Sequence, residues 1–294
     1  MGATYVPGVE MSSNGFRTAV LLSVLTALML WVGQLLGGTQ GLRIALIFAV
    51  VANIGSLWFS DRLVLRMYRA QPIAESDAPG LYRTVRELTQ LAQVPMPALY
   101  VIESDSPNAF ATGRSPSHAA VAVTTGIVRL LGETELRGVI AHELAHVKNR
   151  DTLTSAVAAT LAGAIMWVAS MAKWGLMFGS VGRDDREDEG GGLFGLLAMM
   201  IFAPMAAVLI QMAISRSREF AADATAARTT GDPFALASAL GKLTYAAERV
   251  PMKAQPQTAH LFIVNPLSGG SVARFFSTHP PAQERIRRLR AREY

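Results

Sequence analysis

The 294-residue chain contains no cysteine and is poor in charge. Without cysteine it forms no disulfide and has no cysteine nucleophile, so any metal must be held by histidine and carboxylate side chains. Charged residues make up only 17% of the chain and apolar residues 51%, whereas about 25% of the residues in an ordinary soluble domain are charged. These departures favour a membrane protein. The net charge of +5 is not accompanied by a nucleic-acid-binding motif, and no nucleic-acid partner is predicted.

Four long stretches carry no charge. Two of them, 18–37 and 44–59, are joined by a glycine-rich connection, and two more, 155–172 and 193–214, flank an acidic linker at 183–192. About 20 residues rising 1.5 Å each cross a hydrocarbon core roughly 30 Å thick, so the stretches predict four transmembrane helices in two hairpins. Two alternatives remain open at this point. The first stretch could be a cleaved signal peptide, and the last two could be core helices of a soluble enzyme.

Arginines follow the second stretch directly. Arg62, Arg66 and Arg69 predict that the next block lies in the cytoplasm, because cytoplasmic flanks of membrane helices are enriched in positive charge. Both termini and the block between the hairpins are then cytoplasmic. The predicted division is a first hairpin at 1–60, cytoplasmic-domain residues at 61–154, a second hairpin at 155–214 and the rest of the cytoplasmic domain at 215–294.

The sequence His-Glu-Leu-Ala-His lies inside a helical pattern predicted over 133–154. A step of four residues places His142 and His146 on one helix face, where two imidazoles can hold one Zn²⁺. Glu143 follows the first histidine and leans towards the open metal position, so it is the predicted general base for hydrolysis of a peptide bond by water. The alternative is a chance match to a short pattern, and the surrounding sequence has to decide.

A third ligand is predicted beyond the fourth stretch. Glu219 lies on a helix that leaves that stretch without a helix breaker, and Asp223 lies four residues further on the same face. Asp223 could accept the free N–H of a ligand histidine and so fix its tautomer. Alternatively, both carboxylates are solvated partners of Arg216 and Arg218. Because the chain offers no thiolate and has the two histidines upstream, the ligand interpretation is favoured, with one Zn²⁺ per chain.

The remaining patterns predict an α+β fold that is mostly helical. An amphipathic helix is predicted over 81–91 and short strands over 98–102 and 119–124. The strands bracket residues 106–113, which are predicted to form an irregular active-site loop or an edge strand. The proline-containing stretch 250–271 is either a lid or a connection.

Four motifs, taken together, resemble the HtpX-type membrane metalloproteases, which are relatives of the CAAX prenyl proteases. In chain order they are N-A-F-A-T-G, H-E-L-A-H, R-E-F-A-A-D and T-H-P-P-A-Q-E-R. The resemblance covers nearly the whole chain and implies a gluzincin-like protease domain. It also implies that His142, His146 and Glu219 bind zinc, that Glu143 is the base, and that Asp223 supports a ligand.

The resemblance also suggests roles that the residues alone leave open. Substrate backbone would pair along Asn108, Ala109, Phe110 and Ala111, an addition of a strand to a sheet edge. His279 would donate to the oxyanion, and Arg285 would line the cleft. From the residues alone, His279 is equally a helix-entry residue before two prolines. Arg285 is most simply part of a basic helix that faces solvent or lipid headgroups.

Chain geometry places the predicted metal near the bilayer. At 1.5 Å per residue, the ligands lie about 6–14 Å from the cytoplasmic membrane surface. Expected substrates are therefore damaged membrane proteins and unfolded proteins, and the resemblance implies protein quality control and stress response in the inner membrane of a bacterium. Prenyl-protein processing and a non-catalytic zinc scaffold are the alternatives. A channel is disfavoured because the spans carry no charge. A homo-oligomer is left open.

Overall fold

A computed structural model describes residues 13–163, 216–252, 254–266 and 280–294. The predicted span 193–214, the second half of 155–172, the acidic linker and His279 lie outside these ranges. The helices are α1 (Ser13–Met67), α2 (Pro79–Ala92), α3 (Thr125–Leu130), α4 (Glu133–Lys148), α5 (151–163), α6 (Arg216–Thr230), α7 (Pro233–Ala247) and α8 (Ala282–Ala291). The strands are β1 (Gln71–Pro72), β2 (Ala98–Ile102), β3 (Ala109–Gly113) and β4 (Ala119–Thr124), and short 3₁₀ helices occupy Pro116–His118 and Pro256–Leu261.

Helix α1 doubles back on itself at Gly38. This glycine has φ +55°, a left-handed conformation that glycine adopts without strain. Asn53 donates from Nδ2 to Thr26 Oγ1 at 2.8 Å, although the two residues are 27 positions apart. A straight helix would separate them by roughly 40 Å. The contact therefore requires a hairpin, as the sequence predicts for the first two apolar stretches.

The second arm of this hairpin is the part of the described chain best suited to a bilayer. Gly38–Met67 is the one helix among the described residues that is long and apolar enough to cross a membrane, whereas Thr18–Trp31 is apolar but shorter. Ile47, Val51 and Ile54 each expose more than half of their surface. Exposed apolar side chains in such density mark a surface that meets lipid or protein rather than water.

The four strands form one sheet in the order β1-β2-β4-β3. β2 and β4 are parallel and pair from Ala98 with Ala120 to Ile102 with Thr124. β3 runs antiparallel to β4, from Ala109 opposite Val123 to Gly113 opposite Ala119, and lies at the sheet edge. Strands β2 and β4 have the bounds predicted from the sequence, and residues 109–113 form the edge strand rather than an irregular loop.

The sheet is covered on both faces. One face packs against α2, α4 and α7, and the other packs against the end of α1, Ala159 of α5 and residues 261–262. Helix α4 lies so close to α7 that a Cβ on Gly138 would come within 3.1 Å of the Leu236 backbone. Glu135 fixes the start of α4, because its carboxylate accepts hydrogen bonds from the Gly132 N–H at 2.9 Å and from the Lys242 ammonium at 2.7 Å. The central helix is thereby held in a fixed position.

The prediction of one continuous helix over 133–154 is wrong. Helix α4 ends at Lys148, and a two-residue turn follows in which Arg150 has φ +58°. Helix α5 then begins at Asp151. Neither glycine nor proline marks the break in the sequence. Thr18 and Thr154 share a hydrogen bond of 3.0 Å between their hydroxyls, so α5 starts against the first arm of α1.

Candidate metal centre

Two neighbouring helices bring three candidate ligands together. Helix α4 carries His142 and His146 on one face, and α6 packs against it with Glu219. Within the described part of the chain, one candidate ligand atom from each of these residues lies within 4.8 Å of the other two. All three predicted ligands therefore meet at one point.

The distances fit a small cation. The two Nε2 atoms are 3.1 Å apart, and the Glu219 carboxylate oxygens lie 3.8 Å from Nε2 of His142 and 3.6 Å from Nε2 of His146. A tetrahedral zinc ion with bonds of about 2.05 Å places its ligand atoms about 3.3 Å apart. Two imidazole lone pairs at 3.1 Å repel each other unless a proton or a cation lies between them. The donor set suits Zn²⁺, which takes nitrogen and carboxylate oxygen readily.

A carboxylate lies behind each histidine. Asp223 Oδ1 lies 2.9 Å from His142 Nδ1, and Asp151 Oδ2 lies 3.2 Å from His146 Nδ1. When Nδ1 carries the proton and donates it to the carboxylate, Nε2 presents a lone pair towards the metal position. The sequence predicted Asp223 for this position but missed Asp151.

Arg285 is buried beside Asp223 rather than exposed on a cleft wall, with only 2% of its surface accessible. Its Nε and Nη2 atoms hold the two oxygens of Asp223 at 2.8 and 2.7 Å, and its Nη1 donates to the Ile263 carbonyl at 3.1 Å. A second carboxylate, that of Glu219, has one oxygen 3.7 Å from Nη1. The guanidinium is thus fully engaged inside the protein, and the basic-helix interpretation applies to its neighbours Arg287 and Arg290 rather than to Arg285.

Glu143 lies in the same cavity and accepts a hydrogen bond from the backbone N–H of Ala111 on β3. Burial, together with the negative charge of the nearby Glu219, raises the pKa of Glu143 to about 7, although His146, the hydrogen bond from Ala111 and Arg285 act in the opposite sense. A carboxyl group with such a pKa can accept and release a proton near neutral pH.

The two histidines differ in proton affinity. Burial and the positive charge of Arg285 lower the pKa of His142 to about 4. Burial acts in the same direction on His146, but the hydrogen bond to Asp151 and the charge of Glu219 outweigh it and raise the pKa of His146 to about 9. Neighbouring carboxylates therefore favour the protonated form of His146, whereas burial and Arg285 favour the neutral form of His142.

A segment at residues 254–266, called the covering segment below, lies along part of the edge strand. Ile263 N–H donates to the Ala109 carbonyl at 3.1 Å, and Asn108 Nδ2 donates to the Val264 carbonyl at 2.9 Å. Phe262 packs edge-on against Phe110 with ring centroids 5.2 Å apart. The strand edge to which substrate backbone was predicted to bind is thus partly occupied by this chain itself.

The covering segment also narrows the approach to the ligands. A cavity of about 30 Å³ remains at the site, lined by Glu143, Glu219, Arg218 and residues 260–263 of the covering segment. Such a volume holds one or two water molecules. The cavity as it stands is therefore too small for a peptide.

Several residues of the site were not found from the sequence. His260 lines the cavity, with Nε2 3.1 Å from the Ser155 carbonyl, and Arg218 lies 3.4 Å from Asp151. His260 is more than 110 residues from the H-E-x-x-H motif, and no local pattern marks it. Asp151 follows His146 by five residues, a spacing that points away from His146 in an unbroken helix.

Comparisons with known proteins agree with this geometry. Residues 75–293 match the sequence profile of peptidase family M48. The protein named Protease HtpX homolog of Syntrophobacter fumaroxidans is 58% identical over 277 residues, which cover 94% of this chain and 98% of that protein. Its counterpart in Desulforapulum autotrophicum is 58% identical over 278 residues, covering 94% and 89%.

A solved structure is also similar. The crystal structure of S. mikatae Ste24p aligns with 93% of this chain and 65% of its own, with a TM-score of 0.49 and 16% identity. That likeness is too weak to carry a conclusion. The family is instead assigned from the profile, which matches most of the chain, and from the relatives at 58% identity. The chain belongs to peptidase family M48, and it is a metalloprotease of the HtpX type.

Proposed function

We propose that the chain is a zinc-dependent endopeptidase whose metal is held by His142, His146 and Glu219. The observation that carries the proposal is the convergence of the two Nε2 atoms and the Glu219 carboxylate at 3.1–3.8 Å, with Glu143 in the same cavity. Three protein ligands leave one tetrahedral position open, which is typical of a catalytic rather than a structural zinc site. A non-catalytic scaffold would have no use for that position or for Glu143.

Zinc in such a site supplies Lewis-acid chemistry, because it lowers the pKa of water and polarises the peptide carbonyl. Glu143 is the general base: its carboxylate takes a proton from the attacking water and returns it to the leaving amine. The Ala111 N–H holds this carboxylate in place, and burial keeps its pKa near neutrality. Asp223 and Arg285 keep His142 oriented.

His279 remains our candidate donor to the oxyanion. It lies outside the described residues and directly precedes Pro280, where the description resumes before α8. The oxyanion and the base lie on different sides of the reacting carbon. The hydrogen-bond donor to the oxyanion should therefore come from a part of the chain other than α4 and α6, which carry Glu143 and the ligands. Replacement by alanine should lower kcat with little change in zinc content.

Substrate backbone is proposed to bind along β3, at Asn108, Ala109, Phe110 and Ala111. Ala109 directs its carbonyl away from β4, towards the covering segment, and its partner there is Ile263. A substrate strand would take the place of Ile263 and Val264. It would also meet Arg285 Nη1, which now donates to the Ile263 carbonyl. Arg285 would therefore contact substrate only after the covering segment has left.

The natural substrates are proposed to be damaged or misfolded membrane proteins, cut on the cytoplasmic side of a bacterial inner membrane. The support is the apolar hairpin of α1, which leads through Arg62 and Arg66 into the protease domain, together with the start of α5 next to the site. Main-chain pairing along an edge strand tolerates many sequences, which suits a quality-control protease. The remaining transmembrane spans and the multi-pass topology are part of the same proposal.

Zinc content and proteolysis in detergent test the central claim. Glu143→Gln should keep zinc and lose about 10²–10⁴ of the rate of casein cleavage. Glu219→Ala should lose both zinc and activity. Glu133→Gln is the matched control, because Glu133 is exposed on the same helix, and it should behave as wild type. Wild-type activity in Glu143→Gln would overturn the proposed base.

A further inference from the structure

The turn between α4 and α5 has an unusual backbone. Arg150 adopts φ +58°, a left-handed conformation that is strained for a residue with a side chain. If α4 continued regularly, residue 151 would lie five positions from His146, about 140° away around the helix axis. The turn instead returns the chain so that Asp151 lies behind His146. Backbone strain of this kind persists where the surrounding structure requires it.

Asp151 is buried and lies close to two residues that bear on the site. Its Oδ2 lies 3.2 Å from His146 Nδ1, and its Oδ1 lies 3.4 Å from Arg218 Nε. Arg218 directly precedes the candidate ligand Glu219 on α6. The next residue, Thr152, donates from Oγ1 to the Gly113 carbonyl at 2.9 Å, at the end of the edge strand β3. Residues 151 and 152, directly after the turn, thus contact the candidate ligand His146, helix α6 and the end of strand β3.

We infer that Asp151 is a positioning residue for His146 and that Arg218 holds Asp151 in place. The inference rests on the proposed metal site. Asp151 would accept the Nδ1 proton of His146, fix the ring plane and keep the Nε2 lone pair directed at the metal. The arrangement repeats the pair formed by Asp223 and Arg285 behind His142. Each histidine therefore has its own carboxylate, and each carboxylate its own arginine.

Zinc affinity of the full-length protein in detergent, measured by competition with a chelator, tests the inference. Asp151→Ala should weaken zinc binding by about 10–100-fold, and Asp151→Asn by less, because an amide oxygen can still accept from Nδ1. Activity should fall through kcat, with KM little changed, because Asp151 does not touch substrate. Asp105→Asn is the matched control, since Asp105 is an exposed aspartate paired with Arg129.

Thermal unfolding separates positioning from simple structural support. Loss of a positioning residue should reduce the increase in Tm that added Zn²⁺ produces. Loss of a merely structural residue should instead lower Tm equally with and without Zn²⁺. An unchanged zinc affinity in Asp151→Ala overturns the inference. If Asp151→Ala does not fold, Arg218→Lys is measured instead, and wild-type zinc affinity there would also overturn it. The outcome with Glu143→Gln is independent, because that variant tests the protease and not the support of His146.

Discussion

The pKa of a single carboxyl group, that of Glu143, is expected to set the pH dependence of catalysis. Burial raises the pKa of Glu143 to about 7. A base must be ionised to accept a proton, so kcat/KM should fall as the pH drops through this pKa. A bound cation favours the ionised carboxylate, which places the acid limb at or below about pH 7.

The pH dependence is measured as kcat/KM for an unfolded peptide substrate between about pH 5 and about pH 8.5. Glu133→Gln should give the same profile as wild type, because Glu133 is exposed and outside the cavity. A rate that decreases as the pH rises through the lower half of this range would contradict a carboxylate base.

At the scale of elements, the covering segment competes with substrate for β3. Ile263→Pro removes the N–H that donates to the Ala109 carbonyl. The preceding Phe262 is already extended, with φ −86° and ψ 146°, and so accepts a following proline. Loss of one hydrogen bond, about 0.5–1.5 kcal/mol, should favour the displaced state and lower KM by about 2–10-fold.

Hydrogen exchange and steady-state kinetics check this expectation together. Amide exchange over 254–266 should become faster in Ile263→Pro, and KM for an unfolded protein should decrease. Ile263→Val is the matched control, because it keeps the N–H and most of the buried side chain. If the proline variant exchanged as slowly as wild type, or if its KM rose, the segment would not be a competitor of substrate.

The sequence predicts elements better than it predicts the contacts between them. The ligand set follows from the four-residue step of a helix and the later glutamate, and β2 and β4 follow from short Ala- and Val-rich runs. Asp151 escaped prediction because the break at Arg150 has neither glycine nor proline. The pairing of Ile263 with Ala109 joins residues more than 150 positions apart. No local pattern encodes such a contact, which depends on how the whole core packs.

For the whole molecule, orientation in the membrane is the property to measure. The absence of cysteine allows single introduced cysteines to be labelled without a background. Gln40→Cys lies near the turn of the first hairpin, and Glu103→Cys lies on an exposed loop of the protease domain. By the positive-inside rule, a membrane-impermeant maleimide should label the first from outside spheroplasts and the second only in inverted vesicles.

Labelling of both positions from one side would contradict the hairpin as a membrane-spanning unit. A permeant maleimide should label both in either preparation and serves as the control for accessibility. The reverse pattern would keep the hairpin but place the metal site outside the cytoplasm.

The occupied edge strand also sets a concentration threshold. A segment of the same chain is present at the strand edge at an effective concentration of order millimolar, so a free peptide in dilute solution competes poorly with it. A polypeptide in the same bilayer diffuses in two dimensions and reaches a far higher local concentration near the site. If the chain lies in the bilayer as proposed, intact cytoplasmic proteins would be spared without any recognition of their sequence, and confinement to a shared membrane would select the substrates.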